Sequence, residues 1–146
     1  MLTKAALPSL LSVVALALGC SVFTGPADFP HAVANFGCGP ADGPATAITL
    51  GSRPISPAVA QFPYVVIMIE QPLSALEGHT FLVGSGAGAT YVAGPNAYES
   101  AAMGRVNIGS VDADSTIHGS VSLLFSSRRV IDGFNAVWVR RTVLCG

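Results

Sequence analysis

Ile117 to Phe125 alternates with a period of two. Ile117, Gly119, Val121, Leu123 and Phe125 share one face, while His118, Ser120 and Ser122 take the other, followed by Ser126. A period of two puts successive side chains on opposite sides of an extended backbone, so this stretch predicts a half-buried β-strand. Arg105 to Val111 predicts the strand before it, with Asp112-Ala113-Asp114-Ser115 as the turn. Ser126 to Arg129 is a polar hairpin tip, and Val130 to Val143 returns with Phe134, Ala136 and Trp138 on one face. Together these segments predict a three-strand antiparallel meander.

The chain before the meander is also β in character. Thr46, Ile48 and Leu50 alternate with Ala47 and Thr49, the pattern of a half-buried strand. Phe62 to Ile69 is a nearly continuous apolar run rich in β-branched residues, which predicts a strand covered on both faces, with Pro63 at its start. His79 to Gly84 and Ala89 to Ala93 predict further short strands. Gly84 to Gly88 reads as a loop or bulge, and Pro95 to Met103 is the most helix-tolerant piece. The expected fold class is all-β, an antiparallel β-sandwich or small β-barrel with a C-terminal three-strand meander.

The first residues do not belong to that fold. Met1 to Lys4 forms a short positive region, and Ala5 to Leu18 an apolar stretch of 14 residues. That length suits a cleaved signal peptide better than a membrane span. It ends in Leu16-Ala17-Leu18-Gly19-Cys20, which resembles the lipobox of bacterial lipoproteins, with Ala17 where that family usually has leucine. The resemblance implies that a diacylglyceryl group is placed on the Cys20 thiol and that cleavage falls just before it. Ser21, where an aspartate would favour inner-membrane retention, implies the outer membrane in a double-membraned bacterium. An ordinary secretory signal, cut after Ala15-Leu16-Ala17, is the alternative. The expected division is a signal peptide at 1–19, a tether rich in Gly, Pro and Ala at 20–37, and a β-rich domain at 38–146. Phe23, Phe29 and Phe36 in the tether are candidates for docking on the domain.

A second resemblance lies near the other end. Ile117 to Phe125, then Gly133-Phe134-Asn135-Ala136, then Cys145, is similar to the C-terminal hairpin of uncharacterised β-rich bacterial lipoproteins. It covers about 30 residues and implies no activity.

Lipidation of Cys20 also resolves the cysteine count. The chain has three cysteines, and an exported protein with an odd number needs an explanation. With Cys20 modified, Cys38 and Cys145 remain as a pair, expected to form a disulfide in an oxidising compartment. The competing metal or redox use has neither a Cys-x-x-Cys nor a cysteine–histidine cluster behind it.

Charge excludes one class of partner. After Cys20 the chain carries six arginines and no lysine against eight acids, a formal balance of −2. A general nucleic-acid binder needs a basic face for phosphates, so no nucleic acid is expected.

Candidate sites are sparse. Gly84-Ser85-Gly86 lacks the lysine of a phosphate loop and the upstream glycine of a nucleophile elbow. Asp112 and Asp114 begin like a calcium loop, but the central glycine and the later acidic ligand do not follow, so a hairpin turn is the simpler reading. His31, His79 and His118 are scattered, and a triad of Ser85, His118 and Asp132 is imaginable without being selected by spacing. Arg128-Arg129 and Arg140-Arg141 are the basic clusters, expected to be solvated. Trp138, Tyr64, Tyr91 and Tyr98 suit a core better than a ligand surface. The expectation is therefore a non-enzymatic envelope lipoprotein without metal or cofactor, acting by binding or as a structural component. The alternatives are a small barrel that carries an apolar ligand or glycan, and a hydrolase.

Overall fold

The computed structural model describes residues 28–39, 42–56, 61–141, 143 and 145. Nine strands follow one another: β1 (His31–Cys38), β2 (Pro44–Gly51), β3 (Tyr64–Ile69), β4 (Thr80–Val83), β5 (Gly86–Gly94), β6 (Ala97–Ser100), β7 (Met103–Val111), β8 (Ile117–Leu124) and β9 (Arg129–Trp138). One 3-10 turn, Leu73–Ala75, lies between β3 and β4. Eight strands close into a barrel in the order β3-β2-β1-β9-β8-β7-β4-β5, with β5 returning to β3, and β6 is the extra strand on β5. The fold is thus all-β, and of the two expected architectures it is the barrel.

Most neighbours are antiparallel. Two junctions are parallel: β1 with β9, where Val33 faces Val137, and β4 with β5, where Leu82 faces Gly86. The two require each other. In a ring with an even number of strands, one parallel junction reverses every later direction, so a second is needed for closure. The β4–β5 junction is made by a very tight loop at Gly84-Ser85. Gly84 and Gly86 have φ of 87° and 84°, a region that only glycine enters without steric cost.

The interior is aliphatic. Ile48, Leu50, Val65, Ile67, Ile69, Val106, Ile117 and Leu123 are almost fully buried and belong to one cluster with Phe125, Val130 and Phe134. Eight strands enclose a space that side chains just fill. Phe134 lies across Gly119 on the facing strand; a Cβ at Gly119 would sit 2.6 Å from the Phe134 ring. Outward positions such as Thr80, Asn107, Ser120 and Asn135 are polar. The apolar filling contrasts with the polar interior of membrane-spanning barrels.

Several expectations change. The stretch 20–37, expected as tether, contains all of β1 but its last residue, and Phe29 is 3% exposed within the core cluster. The domain therefore includes residues well before Cys38. The apolar run of β3 is not covered equally on both faces: Val65, Ile67 and Ile69 are buried, while Tyr64, Val66 and Met68 are half-exposed. It is β2 that is covered on both faces, with Thr46, Ile48 and Leu50 inward and Ala45 and Ala47 buried outside. Met68 explains this, since its thioether lies beside Ala47 and the bare backbone of Gly37. The helix-tolerant piece 95–103 holds no helix: it is a turn at Pro95-Asn96, then β6, then the two residues that lead into β7. The meander is present, but β9 stops at Trp138 rather than running to Val143.

Candidate functional site

Cys20 lies outside the described residues. The nearest described segment is Asp28-Phe29-Pro30, where the chain joins the barrel. Phe29 occupies the core, and its N–H donates to Asp132 Oδ2 at 3.1 Å. Asp132 stands on the inward row of β9 between Val130 and Phe134, in a position where strand alternation normally puts an apolar residue. Burial pushes its carboxyl above the usual range, against the pull of the Phe29 and Gly133 N–H groups. Asp132 is thus a latch for the incoming chain. Phe36 lies on the inward row of β1 with Ala34, paired with Thr46 near the barrel end and partly exposed there, and Phe23 lies outside the described residues.

At the other end of the barrel, Cys38 and Cys145 form the expected disulfide, with Cα atoms 5.6 Å apart. It joins the end of β1 to the chain beyond β9. Cys38 closes the first strand rather than preceding it.

The imagined triad does not assemble. His118 projects outward from β8, while Asp132 projects inward from β9, so the sheet separates them. Ser85 is exposed in the β4–β5 turn, its N–H donating to the Leu82 carbonyl. His118 has other partners. Its Nε2 lies 2.7 Å from Asp112 Oδ2, and its Nδ1 lies 2.7 Å from Asn135 Oδ1. Two oxygen acceptors suit a ring with a proton on each nitrogen. The Asp112 and Asn135 hydrogen bonds accordingly raise the His118 pKa above its ordinary 6.5. A ring committed on both sides is a clamp between the β7–β8 turn and β9, not a free base. Its contribution to stability is full below pH 6.5 and is lost as pH rises through the raised value. The stability difference between the parent and His118→Ala should therefore shrink on the alkaline side in denaturant titrations. A difference that grew there would refute the clamp.

Asp114 serves the same turn. Its Oδ1 accepts from the Thr116 N–H at 3.0 Å, which holds its carboxyl below the usual range. This is the local side-chain turn expected from Asp and Ser. Among the described residues, no group of three or more His, Cys, Asp and Glu side chains is placed to hold a metal ion. His31 begins β1, and His79 Nδ1 lies 2.8 Å from the Glu77 carbonyl oxygen.

A cluster that the sequence did not announce ties the β8–β9 tip to β6. Glu99 accepts from the Ser126 hydroxyl, from the Ser127 N–H at 2.8 Å and from the Ser127 hydroxyl at 2.6 Å. These bonds, the Ser126 hydroxyl first, lower the Glu99 pKa from 4.5 to about 2. Beside them, the Arg128 guanidinium stands 4.1 Å over the Tyr91 ring, which packs on Phe125. A depressed carboxyl pKa means that the fold favours the charged form. The Glu99 contribution is present above pH 4.5 and is lost as pH falls toward 2. A carboxyl-carbon NMR titration should show this midpoint near 2, moving back toward 4.5 in Ser126→Ala/Ser127→Ala. A midpoint near 4.5 in the parent would contradict the cluster.

Of the aromatic candidates, Tyr91 is buried, Trp138 packs on the core, Tyr64 stacks on Phe62, and Tyr98 is exposed. Arg140 and Arg141 lie exposed past β9. No family model, curated protein or solved structure matches the chain.

Proposed function

We propose that this chain is an exported lipoprotein held by a lipid on Cys20, whose barrel is a non-enzymatic binding or structural module of the cell envelope. In a double-membraned bacterium the reading places it on the outer membrane. The observation that carries this is the Cys38–Cys145 disulfide, which leaves Cys20 as the odd thiol directly after an apolar leader. A disulfide between chain ends suits an oxidising compartment. Two acyl chains would then give stable attachment, since each buried methylene contributes about 0.8 kcal/mol.

The non-enzymatic part rests on how the polar groups are used. His118, Asp112, Asp114, Glu99 and Asp132 each spend their acceptors or donors on neighbouring protein groups. The aliphatic filling of the barrel, with Phe29 at one end and Leu76 also in the core, favours recognition on the outer surface over an internal ligand.

Expression of the full chain in a lipoprotein-processing bacterium tests the anchor. The parent is expected in the membrane fraction and resistant to molar salt, and Cys20→Ala in the soluble fraction or with its leader uncleaved. A parent that is released as a soluble protein would overturn the proposal in favour of plain secretion.

A further inference from the structure

The outer face of the sheet formed by β4, β7, β8 and β9 changes character along its length. At the end where Phe29 joins the barrel, the pairing sets Met103 beside Leu124 and Arg129. The next outward row is Leu82, Arg105, Ser122 and Ile131. Leu82, Met103 and Ile131 are 54%, 60% and 67% exposed, unusual for large apolar side chains that sit on one face. One row further, Thr80, Asn107 and Ser120 hydrogen-bond to one another. Beyond them come Asn135, His118 and Asp112, with Asp114 in the adjoining turn. The face thus runs from apolar residues with Arg105 and Arg129 at one end to polar residues with Asp112 and Asp114 at the other; Glu99 stands near the first end, hydrogen-bonded to the β8–β9 tip, and Arg140 and Arg141 follow β9 at the second.

The position of the chain decides what covers the apolar end. Phe29 is latched to Asp132 on the inner side of β9, toward the end of the barrel where Ile131 and Arg129 lie on the outer side, so the chain preceding Asp28 starts from the same end as this patch. Nine residue steps separate Phe29 from Cys20, a span of at most about 32 Å when fully extended. Any membrane holding Cys20 is therefore within reach of the patch. Exposed aliphatic side chains flanked by arginines match an anionic bilayer surface, where apolar groups enter the headgroup region and guanidinium groups meet phosphates.

We propose that Leu82, Met103 and Ile131, with Arg105 and Arg129, form a docking face for the anionic lipid surface that bears the anchor, so that the barrel stands with its Asp112–His118 end outward. This rests on the lipid-anchor reading of Cys20.

Hydroxyl-radical footprinting of the lipidated full-length mature protein tests it. The protein is reconstituted in vesicles of phosphatidylcholine alone or mixed with phosphatidylglycerol. Two arginines near an anionic surface favour the docked orientation roughly 30-fold. Oxidation of Met103 is expected to fall several-fold on the anionic vesicles. Val137, 55% exposed against 60% for Met103 but at the far end of β9, should not change. Molar salt, or Arg105→Gln/Arg129→Gln, should restore the Met103 signal. Unchanged Met103 oxidation in protein that floats with the vesicles would overturn the docking face while leaving the anchor intact. Protection that persists in detergent and grows with protein concentration would assign the patch to a second copy and also overturn it. Protein that does not float in molar salt and lacks an acylated N-terminus would instead refute the anchor, and the docking face with it.

Discussion

Phe29→Ala is expected to lower the free energy of unfolding by about 3–5 kcal/mol, the range for deleting a buried phenylalanine. The residue precedes the first strand, in a segment rich in Gly, Pro and Ala that reads as linker. Its side chain is nonetheless 3% exposed and part of the same cluster as Phe134 and Val130. Removal leaves a cavity at the barrel end, and the Phe29 N–H to Asp132 bond alone cannot fill it. Guanidinium titration should show a lower midpoint with little change in slope, because the loss is in native packing. A shift under about 0.5 kcal/mol, the size of an ordinary surface substitution, would mean that the segment is a tether after all.

The second large effect is Cys145→Ser, expected to cost about 2–5 kcal/mol. The bond joins residues 107 positions apart. A loop of that order restricts the unfolded chain by about 4.7 kcal/mol in the chain-entropy model, which native strain and residual structure reduce. The denaturant slope should also rise in this variant, since the unbridged unfolded chain exposes more surface. The same variant frees Cys38, so a thiol assay on the folded protein should go from no reactive pair to one reactive Cys38. A parent whose Cys38 and Cys145 both react without unfolding would contradict the disulfide.

What could be read from the sequence was local. The β8–β9 hairpin was legible because alternation and a polar tip, Ser126 to Arg128, fix each other within about 20 residues. The disulfide was legible from cysteine arithmetic. β1 was not, because His31-Ala32-Val33-Ala34-Asn35 lies among Gly and Pro and carries few large apolar residues to signal a strand. β6 was hidden by Pro95-Asn96 and by its exposed pattern, which has no periodicity to detect. Closure through the parallel β1–β9 pair brings together segments about 100 residues apart, and no local pattern encodes such a register. The same divide runs through the candidate site. Hairpin register sets His118 opposite Asn135, so that contact was within reach of the sequence. Glu99 with Ser126 and Ser127 needs the curvature of the barrel and was not.

Intact-mass analysis of the mature protein from a bacterial membrane fraction tests the lipid on Cys20 most directly. The expected mass is that of a chain that begins at Cys20, carries a diacylglyceryl modification on that residue, and holds Cys38 and Cys145 in one disulfide with no free thiol. An unmodified Cys20, whether at a new N-terminus or within a chain cut upstream, would contradict it.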